Sequence, residues 1–381
     1  MTKKIKVALL IDEFFGGANT AFGGYGFLAR KYICKYIPDE NITIDVLLGR
    51  GKKQFTPTKY NEDGINLYYL PKSRFCAEQW IKKQNYDVYL SIELTNTFAL
   101  ECEKNKIFWI QDPRPWSDWR EIETVNLFRE SNYYNPATYD FVNQLYKSNR
   151  IKFISQGYFL NDKAKDLYRL HDDVNIQYLP NPVDIDINFD IKEYKKTNSI
   201  IYLGRIESVK RGWLFCEIAK CMPEYQFYVL GQTYREKDKN ESIMSKYKDI
   251  ENLHFVGHVD GEVKNNYIKN AKILVNTSIH EALPVSFLEA LAYGTLLVSN
   301  RNPENLASKF GVWTGQINGD GFEQVDKYVN AIKSIVNDED KRRELSVLAR
   351  EYVEKNHNVP KFIEDLRNII IKEISTRELN I

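Results

Sequence analysis

The stretch AKILVNTSIHEALPVSFLEALAYGTLLVSN, residues 271–300, carries a strand, a turn, a helix and a second strand in direct succession. The apolar runs at its two ends predict buried strands. Pro284 is predicted to be the first helical residue, because its missing N–H would have no partner there. Gly294 is predicted to end the helix. A short helix between two buried strands starts at the carboxyl edge of a parallel sheet, which is where open α/β folds bind ligands.

Two carboxylates flank the start of this helix. Glu281 lies in the preceding turn and Glu289 lies inside the helix, about 7.5 Å of axial rise beyond Pro284. The backbone around Leu283, Pro284 and Val285 presents N–H groups and the positive end of the helix dipole to an anion such as a diphosphate. Glu281 could then reach the hydroxyls of a sugar, and Glu289 could accept from a ribose diol. Without such surroundings, two glutamates at this spacing are typical of an exposed helix.

Residues 281–298 read E-A-L-P-V-S-F-L-E-A-L-A-Y-G-T-L-L-V. They resemble the EX7E signature of GT-B glycosyltransferases, most closely the retaining group called family 4. The departures are Ala282, where a small residue or glycine is usual, and Thr295-Leu296, where a proline is common in second place; both carboxylates are kept. The resemblance implies an α/β protein of the GT-B class, with two Rossmann-like domains whose parallel sheets face a central cleft.

A second motif lies at YLGRIESVKRGW, residues 202–213. Arginine binds phosphate through a planar fork and lysine as a point charge, so Arg205 and Lys210 on one loop could neutralise a diphosphate leaving group without a metal. The run resembles the family's GRxxxxKG element, with Arg211 where glycine is usual. A basic loop by itself is typical of a solvated surface, but this one precedes Glu281 by 71 residues, counted from Lys210, in the family's order.

A glycine-rich segment, FFGGANTAFGGYGFLA, covers residues 14–29 between the first predicted strand and helix. Glycines let a backbone approach a ligand closely, and the resemblance implies that Gly16-Gly17 or Gly23-Gly24, with Gly17 and Gly24 as the candidate residues, line the donor diphosphate and the acceptor side. Residues 24–29 also fit GxGxxA, a dinucleotide-binding pattern. Against that alternative, the glycines begin well after the strand ends, and no acidic residue closes the second strand at residues 48–50.

Further candidates follow from the resemblance. In WIQDPRPWSDW, residues 109–119, many family members carry His-Asp where this chain has Gln111 and Asp112. The family's histidine contacts the donor sugar, and an amide can still bind a hydroxyl. The alternative is a rigid turn set by the adjoining prolines. His258 matches a position that often approaches the nucleotide base, with a plain surface histidine as the alternative.

Metal and cofactor motifs are weak in this sequence. The acidic triplets at residues 184–186 and 338–340 formally match DxD, but they fall in a linker and on a helix surface. The histidines are scattered, and the five cysteines show no CxxC or zinc spacing, which is typical of reduced thiols. We therefore expect neither a metal nor a bound cofactor, the nucleoside diphosphate sugar being a substrate.

Strand-like and helix-like runs alternate along the chain, which predicts parallel sheets covered by helices. A polar stretch at residues 185–198 predicts a linker between an acceptor-binding domain at 1–184 and a nucleotide-sugar-binding domain at 199–360. A helix at about 361–381, after Pro360, is expected to pack on the first domain, as the family resemblance implies. The predicted strands are 5–12, 42–49, 65–70, 87–93, 106–112, 152–156, 176–180, 199–205, 225–231, 253–259, the run before Glu281, and 296–299.

Composition limits the partners. The 381 residues include 53 Lys plus Arg against 52 Asp plus Glu, interspersed along the chain, which does not suggest a nucleic-acid partner. No apolar run reaches the roughly 20 residues that span a bilayer, and the N-terminus does not resemble a cleavable signal. We expect a cytoplasmic protein, with the lysine pairs at 52–53 and 82–83 available for peripheral contact with the inner membrane. The abundance of Ile, Lys, Asn and Tyr is typical of a bacterium with an AT-rich genome.

The function that the resemblance implies is a metal-independent hexosyltransferase-type enzyme, EC 2.4. It would move a sugar from a UDP- or GDP-linked donor, with retention, to a sugar or lipid-linked acceptor in cell-surface polysaccharide or glycoconjugate synthesis. A sugar-nucleotide epimerase or hydrolase of the same fold, a silent nucleotide-binding subunit and an NAD(P)-dependent enzyme are the alternatives.

Overall fold

The computed structural model describes residues 4–102, 104–129 and 132–378. Contacts divide the chain into two compact units. The first unit comprises the chain up to Pro113, Asn135–Pro182 and the chain from Val359 onward. The second unit comprises Arg114–Tyr134 and Val183–Asn358. The ends of the predicted first domain and last helix, residues 1–3 and 379–381, lie outside the described residues.

The strands follow the predicted pattern. The first unit contains β1 (Ile5–Leu10), β2 (Ile42–Arg50), β3 (Thr58–Glu62), β4 (Ile65–Leu70), β5 (Val88–Ile92), β6 (Lys106–Ile110), β7 (Ile151–Ser155) and β8 (Ile176–Tyr178). The second unit contains β9 (Ser199–Leu203), β10 (Gln226–Leu230), β11 (Leu253–Gly257), β12 (Ile273–Asn276), β13 (Leu296–Ser299) and β14 (Gly311–Trp313). Each predicted strand is present, with ends that shift by at most two residues, whereas β3 and β14 were not predicted.

The helices cover the sheets of each unit. They are α1 (Gly24–Leu28), α2 (Cys34–Tyr36), α3 (Arg74–Gln84), α4 (Trp116–Ile122), α5 (Pro136–Lys147), α6 (Asn161–Tyr168), α7 (Gly212–Lys220), α8 (Lys237–Met244), α9 (Gly261–Asn270), α10 (Val285–Ala292), α11 (Leu306–Lys309), α12 (Val325–Val336), α13 (Glu339–Asn356) and α14 (Val359–Glu378). A π-helical turn at Ala29–Ile33 joins α1 to α2.

The first unit is built on a sheet of order β3-β4-β2-β1-β5-β6-β7-β8, parallel except at its edge. There β3 pairs antiparallel with β4 through a turn at Asp63 and Gly64, both at positive φ. The strands β1, β5 and β6 are apolar and almost wholly buried, as expected for central strands with helices on both faces. The last helix, α14, belongs to this unit: Phe362 stacks on Trp109 of β6 at 5.5 Å between ring centroids.

The second unit is built on a parallel sheet of order β11-β10-β9-β12-β13-β14. The pairing of β12 with β9 on one side and β13 on the other places β12 in the interior of the sheet. Its core side chains are fully buried, and the chain leaves β12 at Asn276 into the turn that leads to α10. This β12–α10–β13 succession is the one predicted from residues 271–300, and the prediction of two predominantly parallel sheets covered by helices is confirmed.

Residues 114–134, which include α4, leave the first unit after β6 and make their contacts within the second unit. The sequence-based division kept them in the first domain, because they precede the predicted boundary at residue 184. Trp119 and Val125 are buried there, and Asp320 accepts hydrogen bonds from the N–H groups of Asn126 and Leu127 at 2.8 and 2.9 Å. Side-chain contacts distant in sequence, which no local pattern reveals, determine the placement.

Candidate active site

The candidate site of the second unit centres on Glu281. Lys210 Nζ donates to Glu281 Oε1 at 2.6 Å, and the glutamate side chain is 8% exposed. Lys210 ends a short 3₁₀ turn, Ser208–Lys210, that follows β9, and Glu281 lies in the turn after β12. Because β9 and β12 are neighbouring parallel strands, the two motifs meet at the carboxyl edge of the sheet. The structure therefore brings together Glu281 and Lys210, which are far apart in the sequence.

Asn276 orients the Glu281 carboxylate. Its Nδ2 donates to Glu281 Oε1 at 3.1 Å and to Ser278 Oγ at 3.2 Å. Its Oδ1 accepts from the Ser278 N–H at 3.2 Å and from the Ser299 hydroxyl at 3.4 Å. An asparagine bonded on both sides of its amide has a fixed orientation. Sequence analysis missed this residue, although a polar side chain ending a buried strand just before a candidate carboxylate was the signal available.

The environment keeps Glu281 ionised. Burial by itself raises the pKa of this carboxyl, but the charge of Lys210 and hydrogen bonds from Lys210, Ser278 and Asn276 outweigh it and hold the pKa below its ordinary value. Burial also raises the pKa of Tyr202 well above its ordinary range, and the nearby Glu281 and Glu207 carboxylates add to that shift. Glu281 is therefore a buried anion whose charge is compensated by one cation and by amide and hydroxyl groups.

Arg205 lies on the same loop as Lys210. Its Nε is 3.4 Å from Oε1 of the buried Glu207, and its carbonyl accepts from the Tyr202 hydroxyl at 2.7 Å. These contacts fix the loop backbone while about a quarter of the Arg205 side chain stays exposed. Arg205 and Lys210 are thus two cations in one loop at the edge of the sheet, as the motif predicted.

Arg211 shows why the motif tolerates the loss of its usual glycine. The residue has φ 48° and ψ 50°, the left-handed conformation that favours glycine. Its buried guanidinium donates to the carbonyls of Thr277, Ile317 and Gly319 at 2.7, 3.0 and 2.9 Å. Burial lowers its pKa to about 10, which leaves it charged at neutral pH. Arg211 therefore ties the loop that carries Lys210 to the turn that carries Glu281.

The helix α10 begins one residue later than predicted. Pro284 has φ −63° and ψ 132°, so it is extended and precedes the helix, which starts at Val285. The prediction that Pro284 is the first helical residue was wrong, because its carbonyl, which accepts from the Phe287 N–H at 3.0 Å, already takes the capping role. Leu283 is buried, while Pro284 and Val285 are half-buried. The first N–H groups of a helix have no partner within it, so this end can still receive an anion.

Glu289 lies on α10 and pairs with a lysine of the neighbouring helix. Lys264 Nζ of α9 is 2.7 Å from Glu289 Oε1 and 3.4 Å from Asp260 Oδ1. Burial lowers the pKa of Lys264, but these two carboxylates outweigh it and raise the pKa above its ordinary value. Glu289 and Lys264 thus form a second, largely buried ion pair, between α10 and α9. His258, the remaining candidate of this unit, is half-buried in the turn after β11, next to Gly257 at φ 81°.

Gln111 and Asp112 follow β6 in the first unit. Gln111 is 1% exposed, and its amide exchanges hydrogen bonds with Asn181 at 3.0 and 3.2 Å. The backbone N–H groups of Gln111 and Asp112 both donate to Glu93 Oε2, at 2.8 and 2.7 Å. Burial raises the pKa of Glu93, in part opposed by these two donors. The Gln111 side chain is therefore held in a buried amide network, and the half-buried Asp112 is the more accessible of the two.

The glycine-rich segment has a different geometry from a dinucleotide fingerprint. Gly24 begins α1, well beyond the end of β1, and Gly26 lies inside the helix. The Gly26 N–H donates to the Glu13 carboxylate at 3.2 Å, so a side chain of the protein already occupies this helix start. Gly17 lies in a 3₁₀ turn, where an added Cβ would lie 2.5 Å from Glu62 Oε2. Close packing against Glu13 and Glu62 accounts for glycine in this segment.

A contact that sequence analysis missed adjoins Glu281. His280 Nδ1 lies 3.7 Å from Asp118 Oδ2 of α4, and both side chains are buried. Nearby, Arg301 Nη2 is 2.8 Å from Glu121 Oε2, and Thr124 Oγ1 accepts from the Gly319 N–H at 2.8 Å. Helix α4 thus contacts the turn that carries Glu281.

Metal clusters and membrane-spanning helices are both absent from the described part of the chain. No group of three or more His, Cys, Asp or Glu side chains there is arranged to hold a metal ion. No helix within residues 4–102, 104–129 and 132–378 combines the length and apolar character needed to cross a membrane.

Comparison with known proteins gives a family and a fold. Residues 184–352 match the family model described as "Glycosyl transferases group 1". The chain is similar to sucrose-phosphate synthase from Thermosynechococcus elongatus, with a TM-score of 0.73 and 13% identity over 98% of this chain and 100% of that chain. It is also similar to HepE of Anabaena in complex with UDP, with a TM-score of 0.67 and 10% identity over 97% of this chain and 100% of that chain.

A third similar structure is the pneumococcal O-GlcNAc transferase GtfA in complex with UDP and GlcNAc. Its TM-score is 0.67, with 10% identity over 97% of this chain and 99% of that chain. At such identities the likeness establishes the fold alone. The family match covers the part of the chain that contains Arg205, Lys210, Glu281 and Glu289.

Proposed function

Because this chain belongs, through residues 184–352, to the glycosyl transferases group 1 family, we propose that it is a retaining glycosyltransferase that uses a nucleoside diphosphate sugar. The buried ion pair of Lys210 and Glu281 at the carboxyl edge of the second sheet carries the proposal. It supplies a cation for the leaving diphosphate and an anion for the sugar within hydrogen-bonding distance of each other. UDP is the nucleotide to test first, since the similar HepE and GtfA structures contain it.

The cations stabilise the leaving group. Breaking the bond between the anomeric carbon and the diphosphate builds negative charge on the diphosphate oxygens. Arg205, Lys210 and the N-terminal N–H groups of α10 are all positive or partly positive groups of the second unit, fixed before the reaction begins. Such preorganised groups act without a metal ion, and we propose that this enzyme needs none.

The carboxylate acts on the sugar. Glu281 stays ionised because Lys210, Ser278 and Asn276 hold its pKa low against the effect of burial. An anion in that position favours the positive character that the sugar ring gains as the bond breaks, and its second oxygen can accept from a sugar hydroxyl. Glu289, farther along α10, would accept from the ribose diol, and doing so would require sharing its carboxylate with Lys264.

The transfer step needs no reactant other than the donor and the acceptor. The anomeric carbon loses its bond to the β-phosphate oxygen, which leaves with the electron pair. The acceptor hydroxyl oxygen forms a bond to the same carbon on the same face, and its proton passes to the departing phosphate oxygen. The products are a glycoside with retained configuration and a nucleoside diphosphate. The acceptor we propose is a glycan or lipid-linked sugar in bacterial polysaccharide or glycoconjugate synthesis at the cytoplasmic side of the cell.

A thermal-shift panel tests the donor site. The wild type, Lys210→Ala and, as a matched control, Lys246→Ala in the same unit are melted with UDP, GDP, ADP, CMP, dTDP and NADPH. A ligand at about a hundred times its Kd adds about 2.7 kcal/mol of stability. We expect a shift with one nucleoside diphosphate that Lys210→Ala loses and Lys246→Ala keeps.

Other outcomes would contradict the proposal. A shift with NADPH alone would favour a dinucleotide enzyme, and a nucleotide shift unaffected by Lys210→Ala would place the diphosphate elsewhere. If the wild type releases free sugar or an isomer from the donor at the same rate with and without every acceptor tried, the enzyme is a hydrolase or epimerase.

A further inference from the structure

Two exposed phenylalanines lie on neighbouring segments of the first unit: Phe55 in the loop after β2, and Phe75 in the first turn of α3. Phe55 is 72% exposed and Phe75 is 69% exposed. The loop of residues 51–57 follows β2, and the loop of residues 71–73 leads from β4 into α3. The Lys72 N–H donates to the Lys53 carbonyl at 2.8 Å, and the Ser73 N–H donates to the Gln54 carbonyl at 3.1 Å. These bonds hold the loops side by side, one residue before Phe55 and two residues before Phe75.

The two segments that carry these rings are rich in cationic residues. Arg50, Lys52, Lys53 and Lys72 are exposed, and neither residues 50–57 nor residues 71–75 contain an acidic residue. Arg74 is also cationic, but its Nε bonds to Glu78 Oε1 at 2.8 Å, so its charge is largely compensated. We call Arg50, Lys52, Lys53, Phe55, Lys72 and Phe75 the basic-aromatic patch.

Hydrogen bonds of the backbone and of the Arg50 side chain hold the two segments of the patch together. Arg50 Nη1 donates to the Lys72 carbonyl at 3.1 Å, and the Gly51 N–H donates to the Leu70 carbonyl at 2.7 Å. The rings of Phe55 and Phe75 bury little area in the fold, so they contribute little to its stability. Large apolar groups kept exposed on an ordered surface mark an interaction site.

We propose that the basic-aromatic patch docks the protein on an anionic lipid bilayer. Exposed phenylalanines insert at the level of the headgroups, while lysines and arginines around them are attracted by anionic lipid. A nucleic acid or an acidic protein would also attract the cations. Phe55 and Phe75 are both largely exposed on segments whose backbones are hydrogen-bonded to each other, and they favour a surface that accepts apolar groups. The sequence offers two lysine pairs for a peripheral membrane contact, at residues 52–53 and 82–83. The contact is assigned to the first pair, Lys52-Lys53.

The experiment is co-sedimentation with vesicles at about the ionic strength of a cell. Vesicles of phosphatidylcholine with one third phosphatidylglycerol are compared with vesicles of phosphatidylcholine alone. We expect the wild type to bind the anionic vesicles, with binding lost in high salt because exposed charges are screened. Each lysine near an anionic surface strengthens binding about fivefold, so Lys52→Glu/Lys53→Glu should weaken it by about 25-fold or more. Phe55→Ser/Phe75→Ser should weaken binding to the same vesicles at unchanged charge.

The control is Lys246→Glu/Lys248→Glu, which changes the net charge equally at two exposed positions of the second unit. It should bind as the wild type does, and all variants should keep the wild-type melting temperature by circular dichroism. Equal loss in the control would show that net charge alone drives binding. A wild type that ignores anionic vesicles, or patch variants that bind as well as it does, would also overturn the proposal. Lys210→Ala should bind vesicles normally, so failure of the donor-site proposal would be recognised separately.

Discussion

Lys210 Nζ and Glu281 Oε1 lie 2.6 Å apart and join the loop after β9 to the turn after β12. Thr277 strengthens the same junction, because its hydroxyl donates to the Lys210 carbonyl at 2.8 Å and also lies 3.1 Å from the Arg211 carbonyl. The two motifs that suggested a donor site are therefore one structural unit. Changes in one are expected to alter the charge state and position of the other.

Replacing Glu281 by glutamine tests the need for a negative charge. The amide keeps the shape of the side chain, but it no longer stabilises positive charge on the sugar. We expect kcat to fall at least about 100-fold, the scale seen on removing one preorganised electrostatic group. The thermal shift with the nucleoside diphosphate should be kept, since Lys210 and Arg205 are intact. Steady-state kinetics of Glu281→Gln measure the change in kcat, and the thermal-shift panel measures nucleotide binding. An unchanged kcat would show that the charge of Glu281 has no role in the reaction.

Asn276 is expected to act through Glu281. In Asn276→Ala the carboxylate loses its amide donor, and the buried Ser278 and Ser299 lose a partner. We expect a loss of about 1–3 kcal/mol in the free energy of unfolding. We also expect a fall in kcat with little change in the Kd of the nucleoside diphosphate. A residue with a structural role alone would lower stability and leave kcat unchanged, so measuring all three quantities in Asn276→Ala and Asn276→Ser separates the two roles.

Much of the second unit could be predicted because its signals are local. The apolar runs at residues 273–276 and 296–299, together with Gly294 at φ 64°, fix a strand, a helix and a strand in order. The order of GRxxxxKG and EX7E then placed the cations and the carboxylate on one edge of the sheet. The polar strand β3 was not predictable from apolar alternation, because TKYNE has none. It forms because the Asp63–Gly64 turn folds it against β4.

The side-chain partners could not be predicted, because they depend on residues far away in the sequence. Gln111 was proposed as a contact of the donor sugar, yet its amide bonds with Asn181, 70 residues away. The contact of Asp118 with His280 spans a gap more than twice as long. Spacing and residue type indicate what a side chain can bind, but the partner that it has in the fold is decided by packing.

Gln111→Ala distinguishes a supporting role from a direct contact with substrate. The Gln111 carboxamide links Asn181 to the end of β6, and its removal takes two hydrogen bonds from the buried Asn181 amide. We expect the free energy of unfolding to fall by about 1–3 kcal/mol, with any loss of kcat reduced in Gln111→Glu, which keeps an acceptor. A variant as stable as the wild type with kcat lowered many-fold would instead support the contact with the donor sugar.

Arg211 offers a test of backbone strain against side-chain bonding. Arg211→Gly relieves the left-handed conformation but loses the charged hydrogen bonds to three carbonyls, each worth about 1.5–3 kcal/mol. Arg211→Ala loses the same bonds and keeps the strain, which costs about 1–2 kcal/mol. We therefore expect both variants to be less stable than the wild type, with the alanine variant less stable than the glycine variant. Denaturant unfolding of the two variants in parallel measures their free energies of unfolding. A glycine variant less stable than the alanine variant would mean that backbone strain at residue 211 is negligible.

Removing Lys210 should change the pH dependence of the reaction through Glu281. Burial raises the pKa of Glu281, but the charge of Lys210 opposes it most strongly, so the pKa stays below its ordinary value of 4.5. A depressed carboxylate contributes stability and activity that are present above pH 4.5 and are lost as pH falls through the lower, folded-state pKa. In Lys210→Ala burial prevails and the pKa of Glu281 rises, so the acid limb of kcat/KM should move to higher pH. Lys210→Arg keeps the charge and should keep the limb near its wild-type position. A pH profile of Lys210→Ala that falls at the same pH as the wild type would show that another group governs the acid limb.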